Sequence, residues 1–181
     1  MSNSNTVPVY AATGRVTDSE EVEFSAEQVG FGVCVVIHDA QVHASAFAHV
    51  LMPDSNTNTT LARKNPYAFS DTALSNLLEA LRAVSRVYAG NEAWAEALKR
   101  FKVYLVGGSE ISIITPDPAS PAPIELNLGK AVAARLRDAI KAAGLPNAVE
   151  ALGGSSMRDV SIRNSTGKIL IEEAGQPEKT L

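Results

Sequence analysis

The chain alternates between short apolar runs and amphipathic stretches of helical period. "VCVVI" (33–37) is β-branched and continuous, which suits a buried strand. After the turn "DAQ", "VHASAFAHVLM" (42–52) places small residues on alternate positions and reads as a second strand, ended by Pro53. "PDSNTNTTLARKNP" (53–66) reads as a mobile loop. Ser70 or Asp71 is expected to cap a helix with Ala73, Leu74, Leu77, Leu78, Leu81 and Val84 on one face. "NEAWAEALKRF" predicts a shorter helix, and "KVYLV" (102–106) a strand closed by Gly107-Gly108. "TPDPASPAP" (115–123) is too proline-rich for regular structure and belongs on the surface. A further helix is expected from near Asn127, stopped by Gly144 and Pro146, followed by a terminal hairpin in "DVSIRNSTGKILIEE".

Strands and helices mix without regular βαβ alternation, which predicts a mixed-sheet α/β or α+β domain. Residues 1–25 read as a polar tail or weakly held edge, 26–172 as one folded domain, and 173–181 as a frayed tail. At 181 residues, one core is expected.

A formal charge of −4 without a basic stripe argues against nucleic acid as a partner. A single cysteine cannot form an internal disulfide, and neither a secretory leader nor a spanning helix is visible, so a cytoplasmic protein without membrane insertion is expected. Cofactors and metals find no support. Gly30 and Gly32 precede a strand where a phosphate loop would join strand to helix, and Gly107-Gly108 lacks the lysine of a Walker loop. His38, His43 and His49 lack the i, i+4 spacing of a helical metal pair.

Thiol chemistry is the better candidate. A nucleophilic cysteine needs a histidine to hold it as thiolate and to protonate the leaving group. Cys34 opens the first buried strand after a glycine turn whose amides could face an oxyanion, and His49 lies late in the next strand. His38 shares Cys34's strand face but lies more than about 10 Å along it, so it reads as structural or solvent-facing, like His43. A packed, inert cysteine remains the alternative, since free cysteine is among the most buried residue types.

Together "GFGVCV" (30–35), "AHVLMP" (48–53), "VGGSEI" (106–111), "GLPNAVEALGG" (144–154) and "STGKILI" (165–171) resemble, in order, the motifs of the CheD family of chemoreceptor glutamine deamidases. "YAFSDTALSNLLEAL" is similar to that family's tyrosine-led helix. The resemblance implies a layered α/β sandwich of mixed β-sheet with flanking helices, akin in active-site design to deamidating toxins of the cytotoxic necrotizing factor kind. It implies a cytoplasmic protein-glutamine glutaminase of chemotaxis, with Cys34 as nucleophile and His49 as its acid–base partner. It also implies a wall for substrate or oxyanion around Gly32, Val33, Gly107 and Gly108. The implied partners are a chemoreceptor cytoplasmic domain and a CheC-type phosphatase.

The departures are specific. Gln28 stands where the family has threonine, six residues before the cysteine, and Val33 where it has serine. Gln28 is therefore expected to orient His49 or to contact the substrate amide. "LGKAV" (128–132) lacks the arginine and asparagine of the family's run. Two alternatives follow: a catalytically weakened binding module that docks to a chemotaxis partner, or a thiol amidase with a non-receptor target.

Overall fold

A computed structural model describes residues 5–113, 124–126 and 128–181. Two five-stranded mixed sheets lie face to face, and helices cover the far side of one of them. The strands are β1 (Asn5–Pro8), β2 (Gly14–Thr17), β3 (Val22–Val29), β4 (Val33–Asp39), β5 (Ala44–Val50), β6 (Lys102–Gly107), β7 (Ile111–Ile113), β8 (Ile124–Leu126), β9 (Val149–Leu152), β10 (Arg158–Arg163), β11 (Lys168–Glu173) and β12 (Lys179–Thr180). The helices are α1 (Thr59–Lys64), α2 (Ser70–Val84), α3 (Asn91–Arg100) and α4 (Leu128–Ala142). One sheet runs β1-β3-β10-β11-β12 and the other β2-β5-β4-β6-β9, while β7 and β8 form a separate pair. This is the α/β layered sandwich that the sequence led us to expect. Among the described residues no helix is long and apolar enough to cross a membrane.

β4 reads as a continuous apolar run because it is central in its sheet and buried on both faces. Val33, Val35 and Ile37 pack towards the helices, whereas Cys34 and Val36 face the opposite sheet. On β5 the helix-facing positions are Ala44, Ala46 and Ala48, whose short side chains let α2 approach closely. α2 fills that space with Leu74, Leu77 and Leu81, each contributing roughly 1.5–3 kcal/mol by burial. β10 and β11 alternate buried and exposed residues, as befits a sheet with one face in solvent.

Several local expectations are corrected. Residues 5–25, expected as a polar tail or edge, supply β1, β2 and the first half of β3, and both short strands lie at sheet edges. Their cohesion comes from pairing, which leaves little trace in local composition. The C-terminal segment is not wholly frayed, since Lys179 and Thr180 pair with Ile171 and Leu170. "PDSNTNTTLARKNP" is not a bare loop: it holds α1, capped by the Asn58 side chain accepting from the Leu61 N–H. α2 is preceded by Phe69 and has no side-chain cap. Ser70 Oγ donates instead to the Met52 and Val132 carbonyls, and Asp71 accepts from Ser55. The proline-rich segment 115–123 lies outside the described residues.

Candidate active site

β4 and β5 are antiparallel neighbours, and their register sets Cys34 directly opposite His49. The His49 N–H donates to the Thr13 carbonyl at 3.1 Å, and its C=O accepts from the Ala12 N–H at 2.8 Å. Both backbone groups of His49 thus point away from β4. Cys34 and His49 therefore form a non-hydrogen-bonded pair, the type whose Cα atoms approach to about 4.5 Å and whose side chains lie closest. Both side chains leave the same face, towards the other sheet.

The site is closed at Cys34. Its side chain is 0% exposed among Phe24, Ala26, Val29, Val36 and Val106, and burial pushes the thiol well above its ordinary pKa. His49 is 5% exposed, and burial lowers its imidazole to about 4. No hydrogen bond joins the two side chains, and His49 Nε2 is buried with no partner. Burial thus favours the neutral thiol and the neutral imidazole at rest. The physical reason is desolvation: no fixed charge lies close enough to offset it.

His49 reaches solvent in a cleft of about 410 Å³, bounded by the chain from Thr6 to Ala11 and by Ser25, Glu27 and Gln28. Gln28 therefore shares a cleft with His49, although its side chain makes no hydrogen bond to the ring. Its backbone is unusual. Gln28 has φ of +52°, at a register shift between β3 and β10, and its N–H donates to Asp159 Oδ1 at 2.8 Å. Asp159 and the exposed Tyr10 were not singled out from the sequence. Asp159 is 131 positions from Gln28, so only the strand pairing brings them together.

The two glycine segments lie side by side. The Gly108 N–H donates to the Gly32 carbonyl at 2.8 Å, the Ser109 N–H to Gly30 at 3.0 Å, and the Gly153 N–H to Gly107 at 2.9 Å. Of the four positions expected as an oxyanion wall, Gly108 has its amide occupied by Gly32. Val33 pairs with Val50 inside the sheet, with its side chain on the helix side. Gly107 and Gly108 adopt φ of +116° and +66°, conformations that disfavour any other residue.

The other histidines lie apart from Cys34. His38 is buried with Nδ1 2.9 Å from Ser45 Oγ, which donates in turn to Asn164 Oδ1 at 2.5 Å. Since the hydroxyl proton goes to Asn164, His38 carries its own proton on Nδ1. This is a structural role. His43 lies 3.7 Å from Glu20.

No family model matches the chain. Curated relatives do. It is 25% identical over 173 residues to the probable chemoreceptor glutamine deamidase CheD of Solibacter usitatus, covering 94% of this chain and 90% of that protein. It is 25% identical over 153 residues to the chemoreceptor glutamine deamidase CheD of Thermotoga maritima, covering 83% of each. The corresponding protein of Moorella thermoacetica matches at 25% over 155 residues, 84% of this chain and 83% of its own. With that similarity spread over nearly its whole length, and the motifs in order along it, the chain is similar to the CheD proteins as a divergent relative.

Proposed function

We propose that this protein deamidates glutamine side chains of a protein substrate, a chemoreceptor cytoplasmic domain by the names of its relatives, using Cys34 and His49. The observation that carries the reading is the direct opposition of Cys34 and His49 on one face of adjacent strands. In the reaction, Cys34 Sγ bonds to the carboxamide carbon while its proton passes to His49. The tetrahedral adduct collapses, the C–N bond breaks, and His49 returns that proton to the departing ammonia. Water then attacks the thioester with His49 as base, releasing glutamate and restoring the thiol. Gln28 has a role here too: its carboxamide, in the same cleft as His49, orients the ring or meets the substrate amide.

A fully buried thiol cannot meet a substrate without opening, so catalysis requires displacement of part of the cleft wall, with the chain from Thr6 to Ala11 the segment beside His49. The same burial favours a second reading, a CheD-like module that binds a partner such as a CheC-type phosphatase without turnover. Mass spectrometry of a receptor domain's glutamines separates the two readings. Wild type should convert specific glutamines to glutamate, Cys34→Ala should convert none, and Gln28→Ala should act more slowly. Receptor binding without conversion would establish the second reading instead.

A further inference from the structure

Gly32 differs from the other glycines at the site in why it must be glycine. Gly107 and Gly108 have positive φ, so their backbones exclude other residues. Gly32 is not among the positive-φ positions, and an alanine could adopt its backbone. What excludes a side chain is space. A Cβ built on Gly32 would lie 2.5 Å from His49 Nε2, 2.9 Å from His49 Cδ2 and 2.9 Å from Leu51 Cδ2. The first two contacts are with the ring of the acid–base candidate itself.

Gly32 cannot easily retreat. Its carbonyl accepts from the Gly108 N–H at 2.8 Å, and a Cβ on Gly107 would lie 2.6 Å from that same oxygen. The β6 end thus backs Gly32, and the imidazole lies against its front. On the ring's other side the backbone of His49 is tied to Ala12 and Thr13, so the strand cannot shift freely to accommodate a methyl group. The imidazole is the part that has to move.

From this contact geometry we propose that Gly32 is a positioning residue for His49, its missing side chain forming the notch that seats the imidazole beside Cys34. The inference rests on the reading of His49 as the acid–base partner. The notch turns Nε2 inward against Gly32 and Leu51, where it has no partner. Ring orientation relative to Sγ is the quantity that proton transfer requires, and a displacement of about 1 Å can cost about 100-fold in rate.

The test follows the ring by NMR in the full-length protein. In wild type the His49 imidazole should stay neutral as pH is lowered from about 7.5 to about 6, where the protein remains folded, as its burial dictates. In Gly32→Ala the ring is expelled towards the cleft, and its titration should rise towards the ordinary 6.5, with changed nitrogen shifts for the tautomer pair. His38, remote from the notch, should keep its wild-type shifts and stay neutral over the same range, which reports that the fold is intact. On a receptor substrate, Gly32→Ala should lower kcat by about 10-fold or more while leaving KM within about threefold. A folded Gly32→Ala protein with unchanged His49 titration and shifts would overturn the inference. If Gly32→Ala does not fold, second substitutions decide. Folding restored by His49→Ala identifies the imidazole as the obstruction and supports the proposal. Folding restored only by Leu51→Ala, or by neither, overturns it. The NMR result does not depend on activity, so a wild type that deamidates nothing removes the deamidase reading alone. An active deamidase with an unmoved ring removes only the inference.

Discussion

Acid should unfold this protein through two histidines before its carboxylates titrate. His38 and His49 are 1% and 5% exposed, and burial lowers each from 6.5 to about 4. His38 is further fixed by its Nδ1 contact with Ser45, while Nε2 of both rings is buried without a partner. A base with a lowered folded-state pKa resists protonation in the fold, while the unfolded chain accepts the proton readily. The stability at stake is therefore whole above pH 6.5 and drains away as pH falls to about 4. The drop from 6.5 to about 4 corresponds to about 3 kcal/mol for each ring, at 1.36 kcal/mol per pKa unit. Two rings together approach about 6 kcal/mol, comparable with the whole stability of an ordinary domain. Asp39 and Glu150, whose folded values lie below the ordinary carboxylate range, begin to lose their contribution as pH falls through the unfolded values of 3.8 and 4.5, at the acid end of this window, and lose the rest below it. The assay is urea unfolding at intervals from pH 7.5 to 4.5, with stability taken from the linear extrapolation. Between pH 6 and 4.5 the slope should approach two protons, about 2.7 kcal/mol per pH unit. His38→Gln and His49→Gln should each remove about one proton from it. A flat profile between pH 7 and 5, or a slope that survives both substitutions, would refute the burial argument.

Two further predictions concern single groups. Alkylation of Cys34 by iodoacetamide in the folded protein should be at least about 100-fold slower than for an exposed thiol at the same pH, because the side chain is fully buried and its pKa is raised; intact-mass kinetics check this, and rapid labelling in buffer would mean the site opens unaided. Asp39, 0% exposed, accepts from Arg100 Nη2 at 2.6 Å and from Tyr88 OH at 2.9 Å, so Asp39→Ala, which leaves the buried Tyr88 hydroxyl without its acceptor and Arg100 partly in solvent, should cost about 1–3 kcal/mol in urea unfolding, and a loss under about 0.5 kcal/mol would contradict a cohesive contact.

Much of the site's chemistry could be read in the linear chain, because it depends on local pattern. The unbroken run around Cys34 marked a buried strand, and the small residues on alternate positions before His49 marked a second one. The helices around Leu77 and Leu136 followed from apolar period, since a helix closes its hydrogen bonds within a few residues. β1 and β2 were not legible, being four residues long, and β3, "VEFSAEQV", alternates only as far as Ala26 before Glu27 and Gln28 break the period. Such strands form because distant partners satisfy their backbone groups, as β3 does between β1 and β10. Residue types and strand placement suggested that Cys34 and His49 could meet, but the register that sets them opposite belongs to the pairing of β4 with β5. The burial that protonates the thiol comes from the facing sheet, as the hold on Gln28 comes from Asp159 and the notch at Gly32 from β6 and Leu51. Side-chain periodicity records which face of an element is buried. What covers that face, at what distance and with what charge, is decided by contacts between residues far apart in sequence, and those contacts set the electrostatics of this site.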